Sequence, residues 1–442
     1  MNRFKFLGGL LFLACILLAP DKGFAQITSD ADAVVPTEYP SGTQDQIHVF
    51  CGQKDEKNAS FTASSTKGEP ARFDWSKYNS ATGTFIDYTT ITSEDGKSTI
   101  LDLQDGCYRV KITTASGDTT FTAWTFNNYI IATAEIPESD CNSFTLKGTI
   151  ETPQFSYNDL LTGQPLELNK DIKVAWMDGT AVLSHVITYQ NFSPPTKNTD
   201  YTFEVTDRFT CLGKANVQYI SIVTKALFTY VLEGQEKKSD PNKTEAPLTV
   251  TFTNTSENGD AGKYEWFIFK DLQKIKDEIK AGIFQDSIMV VVYDDSPVYT
   301  FEQTGTYMVK LVSKKFVSDM LTCTDTFYMD DYIVADSSFI EAPNVFTPDG
   351  NGINDKFAIK FFSMKSVKVT ILNRWGKVLH VFESNNVQGF YNTAETIPES
   401  VWDGKVGGKF ATPGVYYYVV DGIGRDGARR KANGFFHLFR GK

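Results

Sequence analysis

One short pattern, a glycine followed by an aromatic residue and then alternating apolar positions, returns along this sequence and limits what the chain can fold into. Gly106-Cys107-Tyr108-Arg109-Val110-Lys111-Ile112 is one copy, and Gly305-Thr306-Tyr307-Met308-Val309-Lys310-Leu311-Val312 is another. Gly414-Val415-Tyr416-Tyr417-Tyr418-Val419-Val420 is a third, and Asp200-Tyr201-Thr202-Phe203-Glu204-Val205-Thr206 repeats the pattern without its glycine. Period two puts Tyr108, Val110 and Ile112 on one face of a strand, with Arg109 and Lys111 on the other. Each copy therefore reads as a half-buried strand, spaced roughly 100 residues from the next. A chain of 442 residues is too long for one core. Aromatics make up 14 % of it, with 20 Tyr and 34 Phe, which suits β-structure.

About 100 residues is the length of an immunoglobulin-like sandwich, so the expected fold class is all-β, a tandem of immunoglobulin-like β-sandwiches. The expected modules are 26–136, 137–225, 226–336 and 337–442, after a leader at 1–25. Trp75 and Trp176 are the candidate core tryptophans of the first two. In the third, Ala246–Ser256 alternates into a turn, Tyr264–Phe269 carries Trp266, and Ser296–Phe301 precedes the Gly305 strand. These segments resemble the polycystic-kidney-disease type of immunoglobulin-like repeat. The Gly-Asp-Gly turn of that family is replaced by an insertion at 270–295. Leu272, Ile275 and Ile279 there have helical spacing, and Gly282 is placed to end a short helix.

Arg3 and Lys5 precede an apolar stretch, Phe6–Ala19, and Gly23-Phe24-Ala25 supplies small residues for cleavage between Ala25 and Gln26. The stretch is too short to span about 30 Å of hydrocarbon, and nothing later is apolar enough, so the mature chain is expected to have no transmembrane segment. Export permits disulfides. Spacing suggests Cys51 with Cys107 and Cys141 with Cys211, leaving Cys323 either as a buried thiol or as a partner that displaces one of these pairs. Residues 337–442 hold 14 Lys and Arg against 9 Asp and Glu, whereas the whole chain carries −11. The body before Ser337 is thus acidic, which argues against a nucleic-acid partner.

The densest set of motifs lies in the last module. Phe346-Thr347-Pro348-Asp349-Gly350-Asn351-Gly352-Ile353-Asn354-Asp355 opens it, and an alternating strand runs into Arg374-Trp375-Gly376. Trp402-Asp403-Gly404 and Pro413-Gly414-Val415-Tyr416-Tyr417-Tyr418 follow. In this order the motifs resemble the gliding-motility-associated C-terminal domain of Bacteroidota, a type B sorting domain of the type IX secretion system. That resemblance implies a signal peptide, passage across the outer membrane, the type IX machinery as a partner, and an outer-membrane-surface or extracellular location. The residues also have local roles. Arg374-Trp375-Gly376 and Asp403-Gly404 read as turns, Pro413-Gly414 breaks the chain before a strand, and the whole suits a seven-stranded sandwich. Arg425, Arg429, Arg430, Lys431, Arg440 and Lys442 form a late basic cluster suited to an acidic partner or to anionic lipopolysaccharide.

Asp349, Asn351, Asn354 and Asp355 make an oxygen-rich loop that could serve calcium or simply turn the chain; no other cofactor is signalled. The four histidines have no metal-ligand spacing, and no Gly-x-Ser-x-Gly elbow is present. Asp294-Asp295 and Asp330-Asp331 are neighbours that point apart. The expectation is a non-enzymatic cell-surface protein, adhesin- or stalk-like, meeting a carbohydrate or protein ligand and attached through its sorting domain. The alternatives are an accessory outer-membrane component of the secretion or gliding apparatus and, last, a cryptic carbohydrate-active enzyme.

Overall fold

Each tryptophan of the expected core strands is enclosed, and each marks a separate β-sandwich. A computed structural model describes residues 27–233, 244–270, 272–282, 288–387 and 399–440. The leader and its cleavage site at Ala25–Gln26 lie outside the described residues. Trp75, Trp176, Trp266 and Trp402 are all at most 2 % exposed. Their indole N–H groups donate to Ser98 Oγ and to the carbonyls of Ile187, Asp294 and Lys405. A buried indole without such an acceptor would lose its hydration uncompensated. Two compact units contain the sandwiches, one formed mainly by residues up to Tyr219 and the other mainly by residues from Ile220 onward.

In the first unit, a six-stranded sheet runs in the order Ala33–Pro36, Gln46–Cys51, Gly117–Asn128, Gly106–Thr114, Ala71–Asn79, Thr84–Ser93. Gln46–Cys51 runs parallel to Gly117–Asn128, and every other neighbouring pair is antiparallel. A three-stranded sheet of Ile27–Thr28, Ala59–Ser64 and Lys97–Leu103 completes the first sandwich. The expected joint near Ile136 is displaced. Ile131–Glu135 precedes it yet pairs with Phe144–Glu151 of the second sandwich. Beside the core around Trp75 and the core around Trp176, a further cluster spans the joint. Trp124, Phe126, Ile47 and Val49 from the first sandwich cluster with Phe155, Tyr157, Leu168 and Phe209 from the second. Lys170 crosses the same boundary, donating to Asn128 Oδ1 (2.7 Å) and Thr152 Oγ1 (2.9 Å) above the Phe155 ring. Burial lowers its pKa to about 8.

The cysteines pair otherwise than spacing suggests. Cys51 bonds to Cys211, Cys141 bonds to Cys323, and Cys107 is the buried thiol. The register explains why. Cys51 lies opposite Asn128 on strand Gly117–Asn128, whereas Cys107 lies opposite Trp124 on its other side. Four residues along a strand amount to about 13 Å, beyond any disulfide's reach. Asn128 instead donates to Cys211 Sγ at 3.0 Å, which puts Cys211 beside the end of Cys51's strand.

In the second unit, Phe228–Leu232, Leu248–Asn254 and Val298–Phe301 face a sheet of Ile288–Val292, Glu265–Lys270, Gly305–Ser318 and Leu321–Tyr328. The insertion does contain a helix, Leu272–Ala281, and Gly282 follows at φ +71°. It then returns as the edge strand Ile288–Val292. Among the described residues, no helix is long and apolar enough to cross a membrane.

Candidate functional site: the C-terminal sandwich

The last sandwich has more strands than the seven expected. Phe339–Glu341, Phe357–Phe362 and Glu399–Trp402 form one sheet. The other runs Val345–Phe346, Arg429–Leu438, Gly414–Gly424, Met364–Leu372, Val378–Ser384, and a small hairpin joins Lys405–Val406 to Lys409–Phe410. Phe346, Phe357, Trp402, Tyr416 and Phe436 meet in its core, with the Phe357 and Phe436 rings stacked at 3.9 Å.

Most motif residues build this core or the turns around it. Phe346 is fully enclosed and pairs in parallel with Leu438; Pro348 is buried beside it. Gly404, at φ +79°, lies so close to Phe346 that a Cβ would stand 2.9 Å from the ring, so only glycine fits. Asp403 Oδ1 accepts from the Lys405 amide (3.0 Å), closing that turn. At Arg374-Trp375-Gly376, Asn373 Oδ1 accepts from the amides of Trp375 and Lys377, and Gly376 takes φ +78°. Trp375 itself is 74 % exposed, with the Arg374 guanidinium 4.1 Å from its ring centre. Pro413 stands just before the strand that begins at Gly414, and Tyr418 half-covers the core from that strand.

Tyr416 reveals what the recurring motif does. Its hydroxyl donates to the carbonyl of Thr412 at 2.6 Å. Tyr108 and Tyr307 do the same to Gln104 (3.0 Å) and Gln303 (2.6 Å), always four residues back. The glycines two residues before them sit at φ +141°, +152° and +156°. These are tyrosine corners, which fasten the end of one strand to the loop entering it. Tyr201, whose copy lacks the glycine, is buried at 2 % exposure.

The oxygen-rich loop is folded on itself. Asp355 accepts from the amides of Gly350 and Gly352, both at 2.6 Å, and these bonds hold its carboxyl below the usual range. Asp349 accepts from Asn351, Asn351 accepts from the Ile353 amide, and the Asn354 carbonyl accepts from Thr347. The loop's side-chain oxygens thus accept from its own backbone amides. Among the described residues, no three His, Cys, Asp or Glu side chains are grouped to hold a metal.

Three of the five described residues of the late basic cluster are neutralised. Arg425 pairs with Glu302 at 2.7 Å, Arg429 with Asp421 and Arg430 with Asp426; Lys442 lies outside the described residues. Arg425 belongs to a seam between the third and fourth sandwiches. Fully buried Ser363 donates its amide to Glu245 and its hydroxyl to the Asp336 carbonyl, and accepts from the Ala246 amide. The adjacent carboxylates of the third sandwich have turn-forming roles: Asp294 accepts from the Ser296 amide and Asp295 from Gly262. In the first unit, a cavity of about 560 Å³ is lined by Lys77, Tyr78, Asn79, Asp87, Asp105 and Asn158, among others.

What sequence reasoning missed is the outer face of the five-stranded sheet. The signal was present: Val415–Val420 is an unbroken apolar run, not an alternating one, and such a run marks a strand apolar on both faces.

Residues 340–438 match the family described as the CHU_C type IX secretion signal domain. No curated protein matches the chain. Among solved structures, a tetra-tandem repeat from the extending region of a large adhesion protein is 13 % identical, with 87 % of this chain and 96 % of that one covered and a TM-score of 0.29. Titin domains I67–I69 are 13 % identical over 68 % of this chain and 97 % of theirs, with a TM-score of 0.30. Sidekick-1 immunoglobulin domains 1–5 are 11 % identical over 92 % and 81 %, with a TM-score of 0.23.

Proposed function

We propose that this chain, which carries a type IX secretion signal domain at its C-terminal sandwich, is a non-enzymatic surface protein, adhesin- or stalk-like. Its upstream sandwiches present a binding surface, and residues 337–442 direct export and attachment at the outer membrane. The match of residues 340–438 carries the reading. Four sandwich cores, each closed around its own tryptophan, support it, because so little of the chain is left for a separate catalytic domain. A carbohydrate or protein is the ligand class in view, and the cavity beside Tyr78 and Asn158 offers polar groups next to an aromatic ring for it.

Deleting residues 337–442 in a host with a working type IX system should leave the remainder in the periplasm. Surface proteolysis of intact cells and fractionation read the outcome. The truncation also removes the Ser363 amide that donates to Glu245, which is 2 % exposed. The truncated protein is therefore first checked for cooperative melting. A folded truncated protein displayed normally at the surface would overturn the reading.

A further inference from the structure

The outer face of the five-stranded sheet in the C-terminal sandwich is not made like a solvated surface. Along strand Gly414–Gly424, Val415, Tyr417 and Val419 point outward and are 37 %, 43 % and 45 % exposed. Tyr417 lies opposite Phe435 (55 %) on one side and Leu372 on the other, and Leu372 lies opposite Val378 (50 %). Val419 lies opposite Thr370, which lies opposite Val381 (44 %). Phe435, His437 and Phe439 then form a line of rings along the next strand and beyond its end, with centroids 5.7 Å apart. One rung, Phe435–Tyr417–Leu372–Val378, is thus apolar across four strands, and the next sets Val419 and Val381 beside Asn433 and Thr370, a contiguous patch of the kind that marks an interaction surface.

Charge gives the face a direction. At one end the rungs are matched internally, Lys368 with Glu383 and Arg429 with Asp421. At the other end stand Arg374 on Trp375, Lys377, and Arg440 over Phe410. Among the described residues, Arg374, Lys377, Lys409 and Arg440 form no ion pair, while the neighbouring Lys405 lies 3.9 Å from Asp403. The face is therefore apolar in the middle and positive at the hairpin end.

We propose that this sheet face is where the secretion signal is read: it docks a component of the export machinery through an apolar surface bordered by carboxylates at the end that meets Arg374, Lys377 and Arg440. The inference rests on the reading of residues 340–438 as a secretion signal, and adds which surface does the work. The enclosed motif residues are poor candidates for that role, because Phe346, Gly404 and Trp402 are buried and the Asp355 oxygens are bonded to the loop's own amides, whereas Arg374 and Tyr417 of the motifs are exposed on this face. Aromatic and Arg anchors at the centre and edge of a patch are what strong interfaces use.

The test uses the full chain in a host with a working type IX system. One variant carries Tyr417→Thr, Val419→Thr and Phe435→Thr, a second carries Arg374→Glu and Arg440→Glu, and a control carries Val298→Thr on the exposed edge of the third sandwich. Threonine keeps the β-propensity of the strand, and melting of the purified proteins confirms that each is folded. The first two variants should reach the surface at least about tenfold less than wild type and accumulate in the periplasm, with the control unaffected. Normal export of both folded variants, while deletion of 337–442 still blocks export, would overturn the docking face and leave the signal reading standing. Normal export of the deletion itself would instead sink the signal reading. If export is unchanged and the variants only lose binding to vesicles containing lipopolysaccharide, the face serves a lipid surface and the proposal fails.

Discussion

His48 is a single residue whose ionisation the fold opposes. It is 4 % exposed, its Nδ1 lies 2.6 Å from Ser29 Oγ, and its ring meets Phe61 edge-on at 5.1 Å. Burial lowers its pKa to about 4. The unfolded chain binds this proton near pH 6.5, the folded chain only near 4, so the unfolded state holds more protons in between. The contribution is fully present above pH 6.5 and is lost as pH falls toward 4, at about 1.4 kcal/mol per pH unit. Denaturant unfolding should show His48→Gln losing about 2–3 kcal/mol less than wild type between pH 7 and 4.5. Parallel pH profiles for the two proteins would refute this.

The tyrosine corner is the device that repeats at the level of a single element. Replacing Tyr307 or Tyr416 by Phe keeps the ring in the core but leaves the Gln303 or Thr412 carbonyl without its donor, a loss of about 1 kcal/mol. Substituting the preceding glycine should do more damage. Gly414→Ala meets no atom within 4 Å yet forces φ +156° on a residue with a Cβ, at about 1–3 kcal/mol. Gly305→Ala adds contact with Lys270 Cε at 3.2 Å. Equal midpoints for Tyr→Phe and Gly→Ala in chemical denaturation would show that the corner's backbone geometry carries no cost.

Across the whole molecule, the two disulfides span 160 and 182 residues. Loops of that length restrict the unfolded chain strongly, by about 5 kcal/mol each. Replacing Cys51 and Cys211 together by Ser, or Cys141 and Cys323 together, should lower the unfolding free energy by about that amount. Reductant should do the same to wild type, and no shift on reduction would count against both bridges. Cys107 is fully buried in the core that the first two sandwiches share, so a thiol reagent should reach it only after unfolding.

Strand faces, tryptophan centres and the inserted helix were legible in the sequence because they follow from local periodicity and from which residues tolerate a turn. Tyr108, Val110 and Ile112 face inward as period two requires, and Trp402 and Gly404 take the strand-end and turn positions that their types suggest. Partnerships between distant segments were not legible, since they depend on register and packing. Cysteine pairing was decided by Cys51 and Cys107 lying opposite different residues of one strand. The Arg425–Arg430 cluster reads as free positive charge in the sequence, but folding brings Glu302, Asp421 and Asp426 to it. The loop at 349–355 has the composition of a cation site, and only its hydrogen bonds show the oxygens turned to its own backbone. Sequence fixes what each residue can do locally, and the tertiary structure decides what it meets.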